Sequence, residues 1–180
     1  HTRLQGDWSS DVCSSDLAYV EAVRGTSCKI LDTRKTTPNF RLFEKWAVKL
    51  GGGYNHRLGL YDMILIKDNH VDAAGGIKQA IDHANKYLEN TGKKLAIEIE
   101  TRSIDEVKAV LATGKVQRIM LDNFSLQDMR TAVNLINRNF ETEASGGINL
   151  NTVKDFASTG VDFISVGALT HSYQRDRKST

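Results

Sequence analysis

Residues 95–122 read LAIEIETRSIDEVKAVLATGKVQRIMLD, and they hold one complete unit of the fold. "LAIEIE" is a short β-rich run. Ser103 with Glu106 three residues on is a capping-box signature for a helix start, and Gly114 is a stop signal. "RIMLD" is β-rich again. Strand, helix and strand in succession describe a βαβ unit, whose strands run parallel.

The same rhythm extends in both directions. Further β-rich runs stand at "CKIL" (28–31), "MILIK" (63–67), "ETEAS" (141–145) and "FISVG" (163–167). Between them, Ala73, Ala74, Ile77, Ala80, Ile81, Ala84 and Leu88 share one helical face, as do Leu126, Met129, Ala132, Val133 and Ile136. Ser125 with Asp128 gives a second start, while Gly51–Gly53, Gly92 and Gly160 give stops. Five or six such units fit an open doubly wound sheet or a (β/α) barrel. No G-x-G-x-x-G follows the first strand, which weakens a dinucleotide-binding version.

The totals narrow the class. A chain of 180 residues is long enough for one domain with a sizeable core. The longest apolar runs, such as "MILI", are too short to span a bilayer, and no leader resembles a signal peptide. Cys13 and Cys28 cannot form a disulfide framework, and no Cys/His cluster has zinc spacing. These features describe a cytoplasmic soluble protein. A net charge of +2 argues against nucleic acid as the main partner. The opening residues 1–17 repeat SSD without periodicity, and residues 173–180 are polar and patternless. Both resemble translated sequencing-adapter DNA, so they read as a foreign or disordered leader and tail around a domain at 18–172.

Ligands of parallel α/β folds bind at the carboxyl ends of the strands. Those ends carry Asp32, Arg34 and Lys35, then Lys67, Glu100, Asp122, Ser145-Gly146-Gly147 and Gly167. Residues 29–67 hold eight Lys/Arg against three Asp/Glu, a local surplus of five positive charges. Arg34, Lys35, Arg57 and Lys67, with His56 and His171, suit a ligand with several anionic groups. Helical spacing places Phe40, Phe43, Trp46, Ala47 and Leu50 inward, and Arg41, Lys45 and Lys49 toward water. "GGGYNHRLG" (51–59) reads as a glycine-rich loop with His56 and Arg57 at its tip. "EASGGIN" and "SVGALTHS" offer backbone N–H groups for an anion. Glu100 and Asp122 suit ribose hydroxyls or a phosphate-bound Mg²⁺, and equally suit charge balance with Lys67 or the arginines.

"DTRKTTP", "GGGYNHRLGL", "LIKDNH", "IEIE", "LDNF", "ASGGI" and "SVGALTHS", in this order and spacing, closely resemble the quinolinate phosphoribosyltransferase family across residues 18–172. The resemblance implies an open (β/α) TIM-like barrel of six or seven parallel strands, truncated here, with the family's N-terminal sandwich domain absent. It implies phosphoribosyl transfer from 5-phosphoribosyl-1-pyrophosphate to quinolinate with Mg²⁺, releasing pyrophosphate and CO₂ and giving nicotinate mononucleotide for NAD synthesis. It further implies a homodimer or larger assembly whose site takes a basic residue from the partner. By motif position Arg34, His56, Arg57 and Lys67 match quinolinate contacts, and Lys35 falls near the reacting centre. Glu100 and Asp122 match an acidic pair near ribose and metal. Ser145, Gly146, Gly167 and His171 match phosphate-binding turns. The alternatives are a ModD-like paralogue of the same fold and an inactive phosphate-binding fragment.

Overall fold

The computed structural model describes residues 16–171, and for His171 the backbone alone. Residues 1–15 of the expected leader and the whole expected tail, 173–180, lie outside the described residues, whereas Asp16 and Leu17 of that leader stand in a helix. A helix at 16–22 (α1) comes first. It is followed by β1 (Lys29–Leu31), α2 (Arg41–Leu50), β2 (Met63–Ile66), α3 (Asp68–Ala74), α4 (Ile77–Thr91), β3 (Ala96–Thr101) and α5 (Ile104–Thr113). The chain continues through β4 (Arg118–Asp122), α6 (Leu126–Ile136), β5 (Glu141–Ser145), α7 (Val153–Ala157), β6 (Phe163–Ser165) and α8 (Ala168–His171). All six β-rich runs of the sequence become strands.

Strand order decides between the two candidate folds. Among the described residues the sheet runs β1-β6-β5-β4-β3-β2, with every pairing parallel. β1 sits beyond β6 instead of beside β2, so chain order is cyclic, as in a barrel. Tyr54 adds a parallel bridge to Leu31 on the free side of β1. From that bridge to β3 is five strand steps, roughly 24 Å if the sheet were flat. Yet the imidazole of His56, two residues on, lies 3.0 Å from Glu98 on β3. The sheet must be rolled up, with a gap between β1 and β2.

Strand alternation then gives the sheet two unlike faces. Ile97, Ile99, Ile119, Leu121, Ala144 and Ile164 point outward and are buried in one core with Ile81, Val107, Val110, Met129, Ala132 and Ile136 of the helices. The intervening residues point into the barrel: Glu98 and Glu100, Arg118 and Asp122, Glu143 and Ser145. The helices supply the apolar packing and leave the barrel interior free for charge.

Local signals explain most helix boundaries. The Ser103 hydroxyl accepts from the Glu106 amide at 3.3 Å, and that of Ser125 from the Asp128 amide at 3.1 Å. Each satisfies an otherwise orphaned donor at a helix start. Gly51, Gly92 and Gly114 cap α2, α4 and α5.

Two expectations fail. The single helical face from Ala73 to Leu88 is cut at Gly75 and Gly76, both in the positive-φ region, so Ala73 is exposed while Ile77, Ala80 and Ile81 are buried. In α2 the apolar face is mostly turned outward. Phe40, Phe43, Trp46 (61% exposed) and Leu50 face solvent, whereas Glu44, Lys45 (3% exposed), Ala47 and Val48 are buried. Lys49 is exposed as expected, but Lys45 is not, and Arg41 is half-buried. Hydrophobic spacing mis-set this helix because its buried polar side chains all find partners.

Candidate active site

The carboxyl ends of the strands surround a cavity of about 860 Å³. Arg34, Lys35, His56, Arg57, Lys67, Glu100, Asp122, Ser145, Gly146 and Gly167 all line it. Every site residue expected from the sequence is thus brought to one cavity, except His171, whose side chain lies outside the described residues.

One wall is cationic. Arg34 and Lys35 follow β1 and Lys67 follows β2. Arg57 is fixed by its guanidinium donating to the Met63 carbonyl at 3.2 Å. Burial pushes its pKa down, nearby Arg34 adds to this, and Glu98 and Asp62 oppose it. Two like charges held close in a part-buried site suit an incoming anion that neutralises them. The segment bearing Arg57 is an irregular loop that brings His56 and Arg57 to the cavity, as expected. Tyr54 ties it down by hydrogen bonds with Ile30 of β1 and with Asp32 just beyond that strand, and the His56 side chain is buried inside the barrel.

Beside Lys67 the rim turns acidic. Burial pushes the Glu100 carboxyl up, Asp122 and Asp68 add to this, and Lys67, 3.7 Å away, opposes it. Asp122 is paired in register with Ser145 and is held by the Asn123 amide side chain at 2.6 Å. At the rim, Gly146 has φ +92°, and a Cβ there would lie 2.2 Å from Asn123 Oδ1. Only glycine fits that turn, so the backbone of residues 145–147 is open to the cavity.

The floor was missed in the sequence. His56 Nε2 lies 3.0 Å from Glu98 and 3.4 Å from Glu143, both fully buried, and Arg118 is 3.0 Å from Glu143. Burial and Glu143 push the Glu98 carboxyl up to about 7. Burial pushes Glu143 up as well, but His56, Glu98 and Arg118 outweigh it and the net direction is down. Burial lowers the His56 pKa, and the two carboxylates reverse this and raise it to about 9. The Arg57 amide donates to His56 Nδ1 at 2.8 Å, so in this geometry Nδ1 is an acceptor and the proton is on Nε2, between the carboxylates. Protonating both nitrogens requires that amide to turn away. His56, Glu98 and Glu143 come within ligating distance of one another. Arg118, however, already supplies the positive charge that a cation would bring. The signal for this floor was strand alternation: Glu98 shares a face with Glu100, Arg118 with Asp122, and Glu143 with Ser145.

A rolled parallel sheet whose strand ends bring cations and carboxylates to one cavity, above a buried ionic floor, defines a (β/α)-barrel enzyme-like domain. The chain belongs to the quinolinate phosphoribosyl transferase C-terminal domain family, whose model matches residues 12–175. It is 50% identical over 185 residues to the chloroplastic nicotinate-nucleotide pyrophosphorylase (carboxylating) of Arabidopsis thaliana, covering 95% of this chain and 49% of that protein. It is 43% identical over 166 residues to the nicotinate-nucleotide pyrophosphorylase (carboxylating) of Mycobacterium leprae, covering 91% and 57%. NadC from Streptococcus pyogenes has a similar solved structure, with a TM-score of 0.86 and 43% identity over 92% of this chain and 57% of that one. The chain spans about half the length of the curated relatives it matches.

Proposed function

We propose that the cavity binds quinolinate and 5-phosphoribosyl-1-pyrophosphate side by side and, as part of a whole enzyme, joins them to form nicotinate mononucleotide. The observation that carries this reading is the convergence of Arg34, Lys35, Arg57 and Lys67 on one cavity together with Glu100 and Asp122. Arg34, Arg57 and Lys67 take the two carboxylates of quinolinate, the arginines by forked hydrogen bonds. His56, its ring nitrogens already facing the Arg57 amide and the Glu98–Glu143 pair, supports Arg57 from below. The turns at Ser145-Gly146 and Gly167, with His171, take the 5-phosphate through backbone N–H groups.

The reaction needs no covalent intermediate with the protein. The pyridine nitrogen bonds to ribose C1 as the C1–oxygen bond to pyrophosphate breaks. Positive charge develops at C1, and Glu100 and Asp122 stabilise it electrostatically. Lys35 stabilises the departing pyrophosphate. When the 2-carboxylate departs as CO₂ the electron pair of the broken bond stays on C2, stabilised by the adjacent cationic ring nitrogen, and C2 then takes up a proton with that pair. Holding both substrates in one cavity supplies proximity.

Glu100 and Asp122 fit Mg²⁺ in a particular manner. They lie near enough for Asp122 to raise the Glu100 pKa, and among the described residues they do not form a cluster of three ligating groups with any other His, Cys, Asp or Glu. Two carboxylates without a cage suit an ion held mainly by substrate phosphates and water. Mg²⁺ bound there would neutralise charge on the leaving pyrophosphate.

We place the protein in the cytoplasm as a homodimer or larger assembly. Among the described residues no helix is long and apolar enough to cross a membrane, and Cys28 is a buried free thiol. Some plant relatives are named chloroplastic or mitochondrial. The test is calorimetric titration of the chain with each substrate, followed by CO₂ release from quinolinate labelled in its 2-carboxyl group. The release assay is run with the chain alone and with the complementary half of a relative added. Quinolinate binding, and labelled CO₂ once the complement is present, are expected. Phosphate binding without quinolinate binding would favour a phosphate-binding module instead.

A further inference from the structure

The reversed orientation of α2 places three charged side chains against the two segments that bear the cavity's cations. One segment, residues 32–40, carries Arg34 and Lys35; the other, residues 53–62, carries His56 and Arg57. Lys45 Nζ donates to Asp32 Oδ1 at 2.5 Å and to the His56 carbonyl at 3.2 Å. Asp32, fully buried, also accepts from the His56 amide at 2.8 Å and from Asn55 Nδ2 at 2.6 Å. Glu44 accepts from the Thr37 amide at 3.0 Å. Arg41 donates through Nε to the Thr36 hydroxyl at 3.2 Å and through Nη1 to the Leu58 carbonyl at 3.4 Å.

We propose that Arg41, Glu44 and Lys45 are positioning residues that set the spacing between the Arg34–Lys35 segment and the His56–Arg57 segment. The proposal rests on the carboxylate-binding role assigned to those segments above.

Three features favour positioning over generic packing. Every one of these contacts falls on the two cation-bearing segments, and none on the apolar core. Arg41, like Lys45, spans both segments, but it does so through two separate atoms, Nε to Thr36 and Nη1 to Leu58, which the single Nζ of a lysine would have to replace. The helix also turns its charged residues Glu44 and Lys45 inward, toward those segments, and Phe43, Trp46 and Leu50 away from them. Two segments that must present Arg34 and Arg57 together to a rigid, planar dianion gain from a shared anchor, because misplacement by about 1 Å weakens such contacts sharply.

Arg41 is the member to test, because it is half-buried and absent from the cavity wall. Arg41→Ala and Arg41→Lys chains are titrated with quinolinate and with ribose 5-phosphate, and amide hydrogen exchange is followed over 33–37, 54–60 and β3–β5. Both variants are expected to bind quinolinate about tenfold more weakly and ribose 5-phosphate within about twofold of the parent. Exchange should quicken in both segments and stay unchanged in β3–β5. Equal weakening toward both ligands, or unchanged exchange in either segment, overturns the proposal. Should the parent chain fail to bind quinolinate, the functional reading falls, while the exchange comparison by itself still decides whether Arg41 ties the segments together.

Discussion

Helices α2 and α6 are built to opposite plans. In α6, Met129, Ala132 and Ile136 are buried against the sheet, the Ser125 cap closes the start, and Asn137 at φ +47° closes the end. In α2, charged side chains are buried and aromatic ones exposed. One helix is held by the hydrophobic effect, which is non-directional and tolerant. The other is held by directional hydrogen bonds to specific atoms. The difference follows position: α6 covers the outside of the sheet, while α2 borders the substrate-facing segments. Both helices therefore anchor the fold, by different means, and only α2 also ties down the segments that reach the site.

Substitutions can break this contrast or sharpen it. The largest effect is expected from Lys45→Ala. It removes the ammonium from a buried pair and leaves the Asp32 carboxylate short of its partner, a loss of about 3–5 kcal/mol. Chemical denaturation measures it, and a loss below about 1 kcal/mol would mean that the pair does not anchor α2. Met129→Ala in α6 comes next, at about 2–4 kcal/mol from lost burial and the cavity left behind. Unlike Lys45→Ala, it should leave hydrogen exchange at 54–60 unchanged relative to the rest of the chain.

A smaller effect is expected at Asp16, a fully buried carboxyl with neither oxygen hydrogen-bonded. Burial, with Asp32 nearby, raises its pKa from 3.8 to about 7. The folded chain therefore keeps a proton that the unfolded chain releases above pH 3.8, and this group costs stability progressively as pH rises from there to about 7. Asp16→Ala should raise Tm by about 5 °C at pH 7.5 and by much less at pH 4.5. An equal gain at both values would contradict the assignment. The smallest effect belongs to Trp46→Gln on the outer face of α2, expected within about 0.5 kcal/mol of the parent by denaturation. A larger loss would show that this face is covered after all.

The parts of the molecule that depend on periodicity and turn chemistry were legible in the sequence. Six strands, the serine N-caps at Ser103 and Ser125 and the glycine stops at Gly92 and Gly114 all follow from local rules, although neither serine is joined by the reciprocal bond of a full capping box. So does the cluster at the strand ends, because parallel topology forces Lys67, Glu100, Asp122 and Ser145 to one mouth. What local rules could not give was the orientation of α2. That depends on partners far along the chain, such as Asp32 for Lys45 and Leu58 for Arg41. The buried floor was hidden for a related reason. Glu98 and Glu143 are remote in sequence, and only the rolled sheet brings both to His56.

The central claim is that the cationic wall binds a dicarboxylate while a separate part of the cavity binds the phosphoribosyl donor. Titrating the Arg57→Ala chain with quinolinate and with 5-phosphoribosyl-1-pyrophosphate plus Mg²⁺ tests it most directly. Quinolinate affinity should fall by about a hundredfold, while donor affinity stays within about threefold of the parent. An equal fall for both ligands, or none for either, would contradict the account.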